Sequence, residues 1–227
     1  MEILLMPGMD GTGTLFGAFA SSLDARLRPR VVAYPTEEPR AYDELFDRLP
    51  VPEGDFAIVA ESFSGPLGIR LAAAHPARVR ALVLVATFAT NPSRLARWMR
   101  PLLGERLFLR PLPDFTVRAG LLGGDATADD IAALRSAIAP VSPVVLAKRA
   151  TEVIDVDVRD ALAEVRAPLL YLAGARDRLV GRATRAELTR LRPDMEVEVL
   201  DSPHMVLQRR PIDAARIVSD FVVRHAP

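Results

Sequence analysis

Six short apolar runs constrain this chain more than any other feature: Ile3–Met6, Arg30–Tyr34, Phe56–Ala60, Ala81–Ala86, Leu169–Ala173 and Glu196–Leu200. Most are apolar throughout instead of alternating. A strand that is apolar on both sides has both faces covered, which is the condition of a parallel sheet held between two helical layers. Glu196–Leu200 does alternate, as an edge strand does. Between the runs lie helical patterns at Thr14–Leu23, Tyr42–Leu49, Ser64–Ala74, Arg182–Leu191 and Ile212–Val223. This alternation predicts an α/β fold: a doubly wound, mostly parallel six-stranded sheet with right-handed crossovers.

One stretch breaks the rhythm. From about Thr90 to Val153 there is no convincing strand, only helical patterns cut by Pro101, Pro111, Pro113, Pro140 and Pro143. Leu95, Trp98, Met99, Leu102 and Leu103 form one apolar stripe at helical spacing. Thr127 and Asp130 resemble a capping box ahead of a second stripe, Ile131, Leu134 and Ile138. The expected organisation is an α/β core, residues 1–89 and 154–227, interrupted by an all-helical insertion, residues 90–153. An insertion of that length is too long for a simple connection and reads as a lid.

Composition narrows the function. The chain has 227 residues, 29 basic against 29 acidic, and no cysteine. Without cysteine there is no disulfide, thiolate metal site or cysteine nucleophile. The neutral balance argues against a nucleic-acid partner. No apolar run approaches the ~20 residues of a membrane span. The first residues lack the basic and apolar regions of a signal peptide, so the expectation is a cytoplasmic protein.

The most informative string is Phe56-Ala57-Ile58-Val59-Ala60-Glu61-Ser62-Phe63-Ser64-Gly65-Pro66-Leu67. A strand runs straight into a helix through a turn with small residues two before and two after Ser62. A strained turn that presents a serine nucleophile needs that, because bulky neighbours at those places clash. The usual glycines are replaced here by Ala60 and Ser64, the mildest substitutes sterically. Gly65 and Gly68 permit close approach of helix and sheet. The plain alternative is that Ser62 and Ser64 only cap the helix. Ser64, the rival nucleophile, falls inside the helix.

A serine nucleophile needs a base, and the chain offers three histidines. His75 sits in the last turn of a helix, where the helix dipole favours it structurally, and His225 lies at the C-terminus. His204 follows the last strand, and loops at the carboxyl ends of parallel strands are where open α/β sheets place their chemistry. Asp177, at the end of the preceding strand, can hold the imidazole tautomer. Asp201 is the second-choice acid. The order Ser62, Asp177, His204 is that of the α/β-hydrolase triad.

The whole chain resembles the α/β-hydrolase superfamily, of the lidded serine esterase type. Pro7-Gly8-Met9-Asp10-Gly11-Thr12-Gly13 together with Glu61-Ser62-Phe63-Ser64-Gly65 is similar to a branch of bacterial hydrolases and to the hydrolase-like part of plant phytyl ester synthases. The resemblance implies a nucleophile at Ser62, an acid at Asp177 and a base at His204. It also implies an oxyanion hole from the backbone N–H groups of Phe63 and Met9, with Asp10 as the alternative to Met9. Pro7-Gly8 stands where many relatives have His-Gly. No metal or cofactor is required by such chemistry.

The insertion supplies the remaining candidates. Trp98, Met99, Phe108, Phe115, Leu121 and Leu122 are the expected lining of an apolar acyl pocket, although lid–core packing explains them equally well. Arg94, Arg97 and Arg100 recur every third position and are the candidate patch for an acidic partner such as an acyl carrier protein, or a solvated face. Lidded relatives cleave methyl esters of carrier-bound acids, pimeloyl methyl esters among them. Three functions are therefore open: a serine hydrolase of carboxylic esters or thioesters, an acyltransferase to an alcohol, and a binding protein that kept the fold.

Overall fold

The computed structural model describes residues 1–92, 100 and 103–226. Strands β1 (Glu2–Met6), β2 (Arg28–Val31), β3 (Phe56–Glu61), β4 (Val79–Val85), β5 (Leu169–Gly174) and β6 (Glu196–Leu200) form one sheet in the order β2-β1-β3-β4-β5-β6. All five pairings are parallel. The helices in chain order are α1 (Gly17–Ser21), α2 (Tyr42–Phe46), α3 (Gly65–Ala74), α4 (Asp114–Val117), α5 (Ala128–Ile138), α6 (Pro143–Asp155), α7 (Arg159–Glu164), α8 (Arg182–Leu191), α9 (Val206–Arg209) and α10 (Pro211–His225).

The two-residue period of the strands sorts their side chains into two cores. Leu4, Met6, Ile58, Ala60, Leu82 and Tyr171 pack against α2, α3, α7 and α8. Ile3, Leu5, Ala57, Val59, Val83 and Leu172 pack against α1, α9 and α10. The chain order reverses at β1, which lies between β2 and β3. Loops leaving the carboxyl ends of β1 and β3 therefore diverge to opposite layers and open a crevice between them.

Three expected elements differ. The second run yields a strand at Arg28–Val31 rather than Arg30–Tyr34, and its residues are exposed. Its apolar members Val32 and Tyr34 are buried beyond the ladder, where the Tyr34 N–H donates to Gly11 O at 2.7 Å. Charged residues and Pro29 suit an edge that must not recruit another strand. Thr14–Leu23 is a single 3₁₀ turn, Thr14–Phe16, followed by the short α1. Tyr42–Leu49 stops at Phe46, a few residues before Pro50.

Between β4 and β5 the described residues form helices and one isolated bridge, Thr90 with Asp157. The capping box opens α5: the Asp130 N–H donates to Thr127 Oγ1 at 3.1 Å, and the Thr127 N–H to Asp130 Oδ2 at 2.7 Å. Ile131 and Leu134 bury against Val117, Leu122 and Met205. The stripe at Leu95, Trp98, Met99 and Leu102 lies outside the described residues. No single helix among the described residues is long and apolar enough to cross a membrane.

Helix α3 lies very close to the sheet. A Cβ at Gly65 would overlap the Thr87 side chain, and one at Gly68 would stand 2.7 Å from the Ala60 methyl. Overpacking at such a contact costs about 1–3 kcal/mol. Gly65→Ala is therefore expected to lower the urea midpoint clearly. Gly17→Ala, at an α1 position with open space around it, is expected to leave the midpoint unchanged or slightly raised, by about 0.4–1 kcal/mol.

Candidate active site

Strand β3 ends at Glu61, and the chain enters α3 through a 3₁₀ turn, Ser62–Ser64. Ser62 has φ 49°; among the described residues it shares a positive φ with only one other non-glycine, Ala86. Such a backbone costs on the order of 1–3 kcal/mol and persists only where its surroundings over-determine it. The surroundings here are hydrogen bonds. Thr87 Oγ1 donates to Ser62 O, and Tyr42 Oη donates to Phe63 O at 2.7 Å. Ser64 is fully buried and donates to Pro7 O, while Tyr34 Oη donates to Ser64 Oγ at 2.6 Å. Ser64 is thus a tie between the two loops of the crevice, with its hydroxyl fully engaged.

The turn sets Ser62 Oγ 2.9 Å from His204 Nε2. His204 comes from the loop between β6 and α9, and its Nδ1 lies 2.9 Å from Asp177 Oδ2. The Asp177 side chain is 3% exposed. Its other oxygen accepts the N–H groups of Leu179 at 2.8 Å and Val180 at 3.0 Å, which fixes the carboxylate. A carboxylate on Nδ1 selects the tautomer whose Nε2 can accept a proton from the serine.

The other candidates fall elsewhere. Asp201 is largely exposed and pairs with Arg176 at 2.7 Å. His75 caps α3 and its Nδ1 faces Arg78 Nη2 at 3.0 Å. His225 closes α10 with its ring against Phe221.

Ser62 and His204 open into a cavity of about 320 Å³ whose floor also includes Gly8, Met9, Asp10 and Phe63. That volume is at the lower end of small-ligand sites. The insertion roofs it with Leu121, Leu134, Ile138, Leu146 and Val153. The expected lining needs correction. Phe115 is 74% exposed at the start of α4. Phe108 packs beside Val141, Val145 and Leu146 in a small cluster of its own. Leu122 is buried within the insertion's core, while its neighbour Leu121, also expected at the pocket, does line the cavity. Trp98 and Met99, like Arg94 and Arg97, lie outside the described residues; Arg100 is exposed and pairs with Asp155 at 2.7 Å. Sequence reasoning missed Tyr34, Tyr42 and Thr87, whose bonds to the crevice loops follow no local pattern.

A serine at a strained strand-to-helix turn, facing a histidine and an aspartate from later strand ends, is the arrangement of α/β hydrolases. The chain belongs to the α/β-hydrolase fold family, whose sequence profile matches residues 34–210. Among solved structures it is similar to a thermophilic esterase from Thermogutta terrifontis, with 19% identity and a TM-score of 0.86 over 100% of this chain and 91% of that one. It is similar also to the esterase EaEST from Exiguobacterium antarcticum, with 15% identity and a TM-score of 0.82 over 98% and 92%. The enol-lactonase from Burkholderia xenovorans LB400 aligns with 18% identity and a TM-score of 0.77 over 98% and 91%. No curated protein sequence matches the chain significantly. At these identities the likeness is one of fold.

Glu61 is a further titratable group at the crevice. It is buried beside Ser62, and Gln208 Nε2 donates to its Oε2 at 3.1 Å. Burial raises its pKa from 4.5 to about 7, against the opposing effect of the Gln208 bond. The native state therefore holds this proton more tightly than the unfolded chain. The stability it contributes is complete below pH 4.5 and is lost as the pH rises through about 7. Each pKa unit corresponds to about 1.4 kcal/mol, so the loss amounts to a few kcal/mol. Glu61→Gln removes the titration: urea unfolding is expected to show the variant gaining on wild type between pH 5 and pH 8.

Proposed function

We propose that the protein is a serine hydrolase that cleaves carboxylic esters or thioesters through an acyl-enzyme on Ser62. The observation that carries this reading is the pair of 2.9 Å contacts linking Ser62, His204 and Asp177 at the floor of an apolar cavity. In the first half-reaction Ser62 Oγ attacks the carbonyl carbon while His204 Nε2 takes the hydroxyl proton. The negative charge then forms on the former carbonyl oxygen. The N–H groups of Phe63 and Met9 are the donors proposed to receive it; each such donor is worth roughly 2.7–4 kcal/mol of barrier. Collapse expels the alkoxide or thiolate, which His204 protonates. Water, deprotonated by the same imidazole, attacks the acyl-enzyme and restores the serine. Asp177 stays ionised throughout and stabilises the imidazolium.

The roof of leucine, isoleucine and valine suits an aliphatic acyl chain. If an alcohol takes the place of water, the same acyl-enzyme makes a new ester. Hydrolysis of p-nitrophenyl esters from acetate to palmitate tests the reading, with wild type beside Ser62→Ala and Asp177→Asn. The expected outcome is turnover with an optimum at a chain shorter than palmitate, with a loss of kcat of roughly 10⁶-fold in Ser62→Ala and roughly 10⁴-fold in Asp177→Asn. Activity that survives in Ser62→Ala overturns the mechanism. Added alcohol that diverts product from acid to ester assigns acyl transfer.

An acidic carrier protein is the partner proposed for the insertion's arginines, since Arg100, Arg106 and Arg110 are exposed on it. Arg97→Glu with Arg100→Glu is expected to slow carrier-linked esters at low salt while sparing p-nitrophenyl esters. An equal effect on both substrates rules out a carrier-specific role for this patch.

A further inference from the structure

Helix α6 of the insertion carries a buried arginine that the mechanism above leaves unused. Arg149 is 2% exposed. Its guanidinium crosses from the insertion to the core, where Nη1 donates to Met9 O and Asp10 O and Nη2 to Pro35 O, all at 2.8 Å. The group lies 5.8 Å from the Tyr34 ring centre and 5.9 Å from that of Phe63. All three hydrogen bonds end on backbone carbonyls, none on a carboxylate. Burying a cation costs several kcal/mol, and burial pushes the guanidinium's pKa down against the attraction of the Asp10 carboxylate. If attaching the insertion were the only need, an apolar side chain would serve at less cost.

What the arginine gains is control over particular peptides. The trans peptide is planar, so its C=O and N–H point in opposite directions. Gly8 O accepts the Gly11 N–H at 3.0 Å. Together with the two Arg149 bonds, this fixes three successive peptides from Gly8 to Gly11. The Arg149 bonds direct the Asp10 and Gly11 N–H groups away from the guanidinium. The Gly11 N–H in turn holds Gly8 O, so the Met9 N–H, on the opposite edge of that peptide, points away from Gly11. Met9 and Asp10 both line the cavity next to Ser62. Gly11 completes the arrangement: it has φ +68°, and a Cβ there would stand 2.5 Å from Arg149 Nη1.

We propose that Arg149 is a positioning residue, by which the insertion fixes the loop Gly8–Gly11 so that the Met9 N–H meets the oxyanion formed on Ser62. This rests on the serine-hydrolase reading. It makes the insertion part of the machinery that stabilises the transition state as well as the roof of the cavity.

The test compares wild type, Ser62→Ala, Arg149→Gln and Arg149→Lys in ester hydrolysis and in competitive inhibition. One inhibitor is an alkylboronic acid, which bonds the serine as a tetrahedral anion; the other is the uncharged, planar alkyl amide of the same acyl chain. Arg149→Gln is expected to lower kcat and weaken the boronic acid by about 100-fold each, with KM and amide inhibition within about threefold of wild type. Arg149→Lys, which keeps the charge, is expected to recover part of the loss. If Arg149→Gln does not fold, Gly11→Ala crowds the guanidinium in place and is expected to give the same split. Boronic acid and amide weakened equally, or kcat unchanged in a folded variant, overturns the role of Arg149. Wild type without turnover that depends on Ser62 overturns the hydrolase reading instead, so the two failures are distinct.

Discussion

The turn at Ser62 is the constraint on which the rest of the structure depends. A strand in the middle of a sheet passes into a helix over a single 3₁₀ turn, and a non-glycine residue takes up the positive φ this demands. That backbone is unfavourable alone. It is held by hydrogen bonds from three separate segments, through Thr87, Tyr42 and the pair Ser64–Tyr34. It also requires α3 to lie so close to the sheet that Gly65 has no room for a side chain beside Thr87. Strain at the serine and tight packing beneath it are one feature, since the helix can begin at Gly65 only if the turn is this abrupt.

The core was legible because its physics is local. Parallel strands buried on both faces must be apolar, and Phe56–Ala60 and Leu169–Ala173 are apolar throughout. The small residues around Ser62 pointed to the turn for a similarly local reason. The second strand was misplaced because hydrophobicity marks burial rather than pairing, and Val32 and Tyr34 are buried outside the ladder. Phe115 is exposed instead of lining the cavity, because apolar character alone says nothing about which neighbour covers a side chain. Arg149 did leave a trace: it stands four residues after Val145 and four before Val153, on the buried face of α6. A charge in that position signals a buried polar anchor. Its carbonyl partners, more than a hundred residues away in sequence, leave none.

Outside the Ser62–His204–Asp177 contacts, the buried side chains of Glu61 and Arg149 face opposite demands. Glu61 sits where burial favours its neutral form, so it adds no fixed charge next to the nucleophile at mildly acidic pH. Arg149 keeps its charge despite burial, because a guanidinium does not give up its proton in proteins and three carbonyls solvate it.

Sheet topology explains why these parts meet where they do. The reversal at β1 leaves the loops after β1 and β3 side by side with no crossover between them, and β5 and β6 end on the same edge. The core can therefore bring together a serine, a histidine, an aspartate and two backbone N–H groups from four separate stretches of chain, those after β1, β3, β5 and β6. What it cannot supply is a roof, because both of its helical layers are occupied in covering the sheet. The insertion after β4 fills that gap with Leu121, Leu134, Ile138, Leu146 and Val153, which face apolar side chains of the core such as Met9, Phe63, Phe88 and Met205 across the cavity. Changes along α5 and α6 can reshape the cavity without disturbing the Ser62–His204–Asp177 contacts, provided that Arg149 is kept.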